Sequence, residues 1–248
     1  MLRRAFPGLL AGAVLAVPAF AQTVDEVIAK SFEARGGLDR LSAVQSIRVT
    51  GRMSMGKAEA SMVVERKRPG SIRAEITVRG ERAVQAWDGV TAWGIPPTGS
   101  GQPEVLPAEA ARAMADEADV DGPLVDYRAK GHQVTLLGKE KVEGDDAYKI
   151  EVRKKGGAVE YHFLDARSYL TVRIEGKRTI RGTPIEGESI LGDYREAGGV
   201  LWPYSIQSGA RGSPDKQTLT VDKVEVDPAL DEARFKMPST TPARPPRD

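Results

Sequence analysis

Cysteine is absent from all 248 residues. That excludes disulfides, thiolate nucleophiles, zinc–cysteine sites and a lipid-modified N-terminal cysteine. Histidine is nearly absent, with only His132 and His162, so a histidine metal site or a catalytic triad has little to draw on. Neither sign of charge is in excess: 36 Lys+Arg stand against 35 Asp+Glu. A nucleic-acid partner would call for a basic surplus, and an acidic tail for a block of carboxylates. Aromatic residues are only 6% of the chain. Beyond residue 21, no apolar run approaches the ~20 residues of a spanning helix.

The first 21 residues read as an address. Arg3-Arg4 form a charged start, Leu9 to Val17 a short apolar run, and Ala19-Phe20-Ala21 a small-x-small site. This is the pattern of a signal peptide cleaved after Ala21, and the expected location is the periplasm. Thr23 followed by Glu26 is a capping box. Val24, Val27, Ile28 and Phe32 then fall on one stripe, predicting a helix to Arg35 that stops at Gly36-Gly37. A shorter helix is expected over 38–45.

From Ile47 the period changes to two. Strands are expected at 47–55, 58–67, 71–79, 82–87 and 90–96. After an interruption they resume at 132–142, 147–154, 159–164, 169–180, 184–194, 200–207 and 218–226. Ser71–Arg79 alternates strictly, as in an antiparallel sheet with one buried face. Breaks in alternation predict bulges near Gly176 and between Val221 and Val224. Gly198-Gly199 is a hairpin turn, and Val200, Trp202, Tyr204 and Ile206 follow on one face. Helices are expected at 107–118 and 122–129, placed to cross a face of the sheet. The fold class is mainly β: a single antiparallel sheet of eleven to twelve strands, which must curl or close. One domain is expected over 22–238, then a proline-rich flexible tail over 239–248.

No constellation of catalytic or metal-binding residues forms. Asp119-Val120-Asp121-Gly122 lacks the further ligands of a calcium loop and reads as a turn. Gly51 to Gly56 lacks the spacing of a nucleophile elbow. His162 shares a strand face with Glu160 and is expected on the solvent side. Accordingly no enzyme activity, cofactor or metal is expected. The inward residues make a different pattern. Met53, Met62 and Val64 are followed by Ile72, Ala74 and Ile76, then by Tyr148, Ile150 and Val152, with Tyr161 and Phe163 beyond. Leu170, Val172, Trp202 and Tyr204 extend the same face, and Met114 lies on the inserted helix. Methionines adapt to irregular ligands. Either the curled sheet packs against itself, or an apolar cleft remains for a lipid-like ligand.

Several segments carry a resemblance. Lys67-Arg68-Pro69 ends a strand ahead of Ile72. Trp87-Asp88-Gly89-Val90-Thr91-Ala92-Trp93 forms a D-G-x-T-x-W hairpin, with Pro96-Pro97 beyond, and Ala233 to Pro238 reads A-R-F-K-M-P. In this order they resemble the outer-membrane lipoprotein-sorting proteins, the LolA/LolB-like superfamily. The resemblance implies a half-barrel closed by an inserted helical lid, with the concave face taking up acyl chains. It implies that Arg68 latches the lid and that Ile72 contacts the ligand; Trp93 is expected in the apolar cavity wall as well. It further implies an acylated lipoprotein or lipid as partner, with an inner-membrane donor complex and an outer-membrane acceptor. The carrier is expected to be a monomer and to bind no nucleic acid. The alternative on the same fold is an envelope-stress sensor or scaffold that binds a protein partner.

Overall fold

A computed structural model describes residues 22–239 apart from 56–57, 100 and 181–182. The expected signal peptide, and all but the first residue of the expected tail, lie outside the described residues. Two helices come first, α1 (Val24–Ala34) and α2 (Leu38–Ala43). Strands β1 (Ser46–Met55), β2 (Ala58–Lys67), β3 (Ser71–Val78), β4 (Glu81–Trp87), β5 (Ala92–Ile95) and β6 (Glu104–Val105) follow. After helix α3 (Ala108–Glu117) come β7 (Gln133–Val142), β8 (Asp145–Arg153), β9 (Val159–Asp165), β10 (Thr171–Ile180), β11 (Thr183–Ala197), β12 (Val200–Ala210) and β13 (Gln217–Val226).

These strands form one open antiparallel sheet in the order β6-β5-β4-β3-β2-β1-β13-β12-β11-β10-β9-β8-β7. Every expected strand is present. The thirteenth is β6, two residues paired to β5 through Trp93↔Val105 and Gly94↔Glu104, too short to leave a period in the sequence. The order has a topological consequence. Strands β6 and β7 are the two edges of the sheet, yet they are consecutive in the chain. Residues 106–132 must therefore travel the width of the sheet, and they do so across one face. Their first part is α3. The remainder, 118–131, is a strap of turns in place of the helix expected at 122–129. Proline at 123 and a positive φ at Gly122 and Asp126 break the helical path.

Three apolar clusters pack beneath this crossing. Val27 and Ile28 of α1 meet Leu124 and Tyr127 of the strap and Ile150, Val152 and Leu164 of the sheet. Leu41 and Val44 meet Ile47, Val200, Trp202 and Tyr204. Met114 and Ala118 meet Ile72 and Ala92. Each fully buried aliphatic side chain here contributes about 1.5–3 kcal/mol relative to exposure. The α1 capping box forms as expected: Glu26 N–H donates to Thr23 Oγ1 at 3.2 Å, and Thr23 N–H donates to Glu26 Oε2 at 2.8 Å. Gly36 ends the helix at φ 119°, and a Cβ there would meet the Gly199 carbonyl oxygen at 2.2 Å. Only glycine permits this approach of α1 to the β11–β12 turn. Leu201 N–H then donates to the Arg35 carbonyl at 2.9 Å, fixing the end of α1 on β12.

The other face carries buried charge. Glu65 is 1% exposed and receives Arg48 Nε at 2.8 Å and Arg234 Nε at 2.9 Å. Arg234 belongs to a 3-10 turn (Glu232–Arg234) that lies back on the sheet. Trp93 Nε1 donates to the Phe235 carbonyl at 2.7 Å, and Met237 packs on Val84, Ala86 and Trp93. The A-R-F-K-M-P segment is thus a staple on the outer face.

Candidate ligand-binding site

Two arginines of β2 and the turn after it hold down the end of α3 and the strap. Arg66 Nε donates to the Glu117 carbonyl at 2.7 Å, a last-turn carbonyl of α3 that has no partner within the helix. Arg68 forms a fork on Asp121. Its NH1 donates to Asp121 Oδ2 at 2.6 Å, and its NH2 donates to Asp121 Oδ1. The same guanidinium donates from Nε to the Val44 carbonyl at 2.7 Å and from NH2 to the Ser42 carbonyl at 3.2 Å. Arg68 therefore joins the strap to the end of α2. The hydrogen-bonded Asp121 carboxylate raises the already high pKa of Arg68, so the guanidinium stays charged. The resemblance implied a bond from Arg68 to the lid; the helix-end carbonyl goes to Arg66, and Arg68 takes the strap.

Under the strap lies a cavity of about 220 Å³. Phe32, Val120, Leu124, Ile174, Leu191 and Pro203 make it apolar, while Arg35, His162 and Tyr194 add polar groups. Burial pushes the Tyr194 phenol up to about 12, against the pull of the Arg35 charge. Its hydroxyl donates to the Thr171 carbonyl at 2.7 Å.

His162 is 4% exposed and faces this cavity. That corrects the solvent-side expectation. In β9 the helix-facing residues are Glu160, His162 and Leu164, and Tyr161 and Phe163 turn outward. Register decides it: His162 pairs with Ile150 and Leu164 with Tyr148, both beneath α1. A buried histidine needs a partner, and His162 Nε2 lies 3.1 Å from Glu160 Oε2. Lys154 Nζ contacts Glu160 at 2.7 Å and Asp116 of α3 at 3.6 Å. Burial alone would push the Glu160 carboxyl up. The hydrogen bonds and charges of His162 and Lys154 outweigh it and bring the pKa down to about 2.

A second cavity, of about 310 Å³, opens on the other side of the strap. Its walls include Asp116, Asp119, Lys130, His132 and Lys154. Lys130 Nζ is 2.6 Å from Asp119 Oδ2 and donates to the Gly122 carbonyl at 2.8 Å. His132 Nδ1 accepts from Lys155 N–H at 3.1 Å.

No family model matches the sequence, and no curated protein matches it. Solved structures do. A DUF1329 family protein from Desulfovibrio piger superposes at a TM-score of 0.58 with 11% identity, over 87% of this chain and 98% of the other. A LolA superfamily protein from Nitrosomonas europaea gives a TM-score of 0.57 with 17% identity, over 87% and 98%. A domain described as an outer membrane lipoprotein-sorting protein from Vibrio parahaemolyticus gives 0.57 with 13% identity, over 84% and 95%. The fold is LolA-like.

Within this LolA-like fold the sequence-predicted wall residues divide into four groups. Val64, Ile72, Met114, Ile150, Trp202 and Tyr204 face the helices but are packed into the three clusters. Met53, Met62, Ala74 and Ile76 share that face by register and belong to none of the clusters, so they form a floor of their own. Trp93 and Val172 stand on the opposite face, against Phe235 and Phe163. The bulge expected at Gly176 falls instead between Thr171 and Arg173, which turns Val172 outward. Leu170 precedes β10, in the connecting turn. None of the thirteen lines the 220 Å³ cavity. Its signals in the sequence were Phe32 on the α1 stripe and Ile174, one step beyond the misplaced bulge.

Proposed function

We propose that this protein is an exported carrier that takes acyl chains into the space beneath the strap. Its partner is then an acylated lipoprotein or lipid, received from an inner-membrane donor complex and passed through the periplasm towards an outer-membrane acceptor. The observation that carries this reading is the apolar cavity roofed by a strap and tied down by one bidentate ion pair. A chain-shaped apolar ligand gains by leaving water. The strap, made of turns, is the element best able to lift. Ligand binds the open state, so acyl chains shift the population towards it. Met53, Met62, Ala74 and Ile76 supply further apolar floor once the strap rises. The names of the fold's relatives, a LolA superfamily protein and a lipoprotein-sorting domain, support the same reading.

Arg68 acts as the latch in this scheme. Arg68→Leu removes the Asp121 fork and two carbonyl contacts, all made with the strap closed, so a fluorescent fatty acyl probe should enter faster and bind more tightly. The reading as a whole is tested by native mass spectrometry of protein purified from periplasm. An acyl-containing species carried through purification is expected. If no preparation carries one, and fluorescent fatty acyl probes do not bind, the carrier reading fails.

A further inference from the structure

Arg35 is the one cavity-lining cation without a counter-ion among the described residues. Its Nε makes a long hydrogen bond to the Leu201 carbonyl at 3.5 Å, and its guanidinium lies 5.5 Å from the Trp202 ring centroid. Its two terminal nitrogens hold no hydrogen bond among the described residues. The charged groups around it are already committed. Asp121 is held by Arg68, Asp119 by Lys130, and His162 faces Glu160. The Tyr194 hydroxyl points its proton at Thr171. Burial lowers the Arg35 pKa, with Tyr194 and Asp121 opposing that only through space. Arginine nevertheless remains charged in proteins. A desolvated charge without a partner is costly, and the backbone contact of Arg35 with Leu201 keeps it in place.

We propose that Arg35 receives the acidic headgroup of a single-chain acyl ligand whose hydrocarbon lies along Phe32, Val120, Leu124, Ile174 and Leu191. The proposal rests on the acyl-binding reading of this cavity and goes beyond it by naming the headgroup. A planar guanidinium with free terminal nitrogens is built for a carboxylate or phosphate fork. The volume also constrains the ligand. About 220 Å³ lies below the roughly 300–1,000 Å³ of ordinary ligand pockets, which fits one chain rather than two or three.

The test is calorimetric titration of the full chain with lauric acid, lauryl phosphate and methyl laurate. On the wild type both acids should bind at least about tenfold more tightly than the uncharged ester. The better of the two acids identifies the headgroup as carboxylate or phosphate. Arg35→Met should bring all three ligands to the affinity of the ester. If that variant does not fold, Arg35→Gln, which is shorter but polar and uncharged, should give the same result. Equal binding of acids and ester by the wild type would overturn the headgroup role while leaving the cavity reading intact. Preference for the acids that survives removal of the charge would place the headgroup elsewhere and overturn it equally. Binding of none of the three would overturn both.

Discussion

Two cavities share the strap as a wall, and they differ in how their charges are spent. Asp119 and Pro123 border both. On the α3 side, Lys130 and Lys154 are each held by carboxylates: Lys130–Asp119 braces the strap on itself, and Lys154 joins α3 to the sheet through Asp116 and Glu160. On the α1 side the wall mixes apolar and polar groups, Asp119 and Asp121 are held by Lys130 and Arg68, and Arg35 has no counter-ion among the described residues. Paired charges in the first cavity hold structure together, so removing one leaves its partner stranded. The unpaired charge in the second makes only a long hydrogen bond to Leu201 and a ring contact with Trp202, so removing it should cost little. Charge pairing therefore separates the scaffold from the site more cleanly than cavity size does.

The comparison breaks first at Lys154. Lys154→Met strands Glu160, which keeps only His162, and should cost about 2–4 kcal/mol in urea unfolding. Asp121→Asn loses the fork from Arg68, a hydrogen-bonded pair with one partner 28% and the other 9% exposed. A cost of about 1–2 kcal/mol is expected, with faster entry of a fluorescent acyl probe because the strap is freed. Acid sharpens the same contrast. The Glu160 pKa lies at about 2, below the usual 4.5, so its contribution is complete above pH 4.5 and is lost as pH falls towards 2. Glu160→Gln should flatten the part of the stability–pH curve in that window that belongs to this group, seen as the difference from wild type. The smallest effect is expected at Arg35. Arg35→Met gives up a contact with the Trp202 face worth about 0.5–1 kcal/mol and relieves a part-buried, unpaired charge. Its unfolding midpoint should therefore stay close to wild type. A loss as large as that of Lys154→Met would show that Arg35 is scaffold and erase the distinction.

The strands were legible because alternation survives wherever one face is buried. Twelve of the thirteen announced themselves, and β6 is too short to do so. The wall was legible only as far as the phase held. In β9, Val159, Tyr161 and Phe163 look like an inward set by apolarity, yet the sheet buries both sides there. One side lies under α1; on the other, Phe163 is covered by Val142, Ala147 and the Arg173 guanidinium, 4.0 Å from its ring centroid. With apolar residues on both faces, periodicity cannot choose between them. Trp93 misled for a related reason: the outer face is covered there by residues 235–237, far away in sequence. Arg68 was recognisable only through its motif, and Arg66 and Arg35 left no signal, because an arginine's role depends on what stands opposite it. The β11–β12 turn was legible from its diglycine, but its contact with Gly36, which sets the end of α1 and hence Arg35, was not.

The central claim is that the space beneath the strap is where an acyl chain resides. It is tested most directly by titrating a fluorescent fatty acid into wild type and into Ile174→Trp, whose indole would occupy the cavity from the β10 wall. Saturable one-to-one binding by the wild type, weakened at least about tenfold in a variant that unfolds at a similar urea concentration, is the predicted result. Equal affinity of a folded Ile174→Trp protein and the wild type would contradict it.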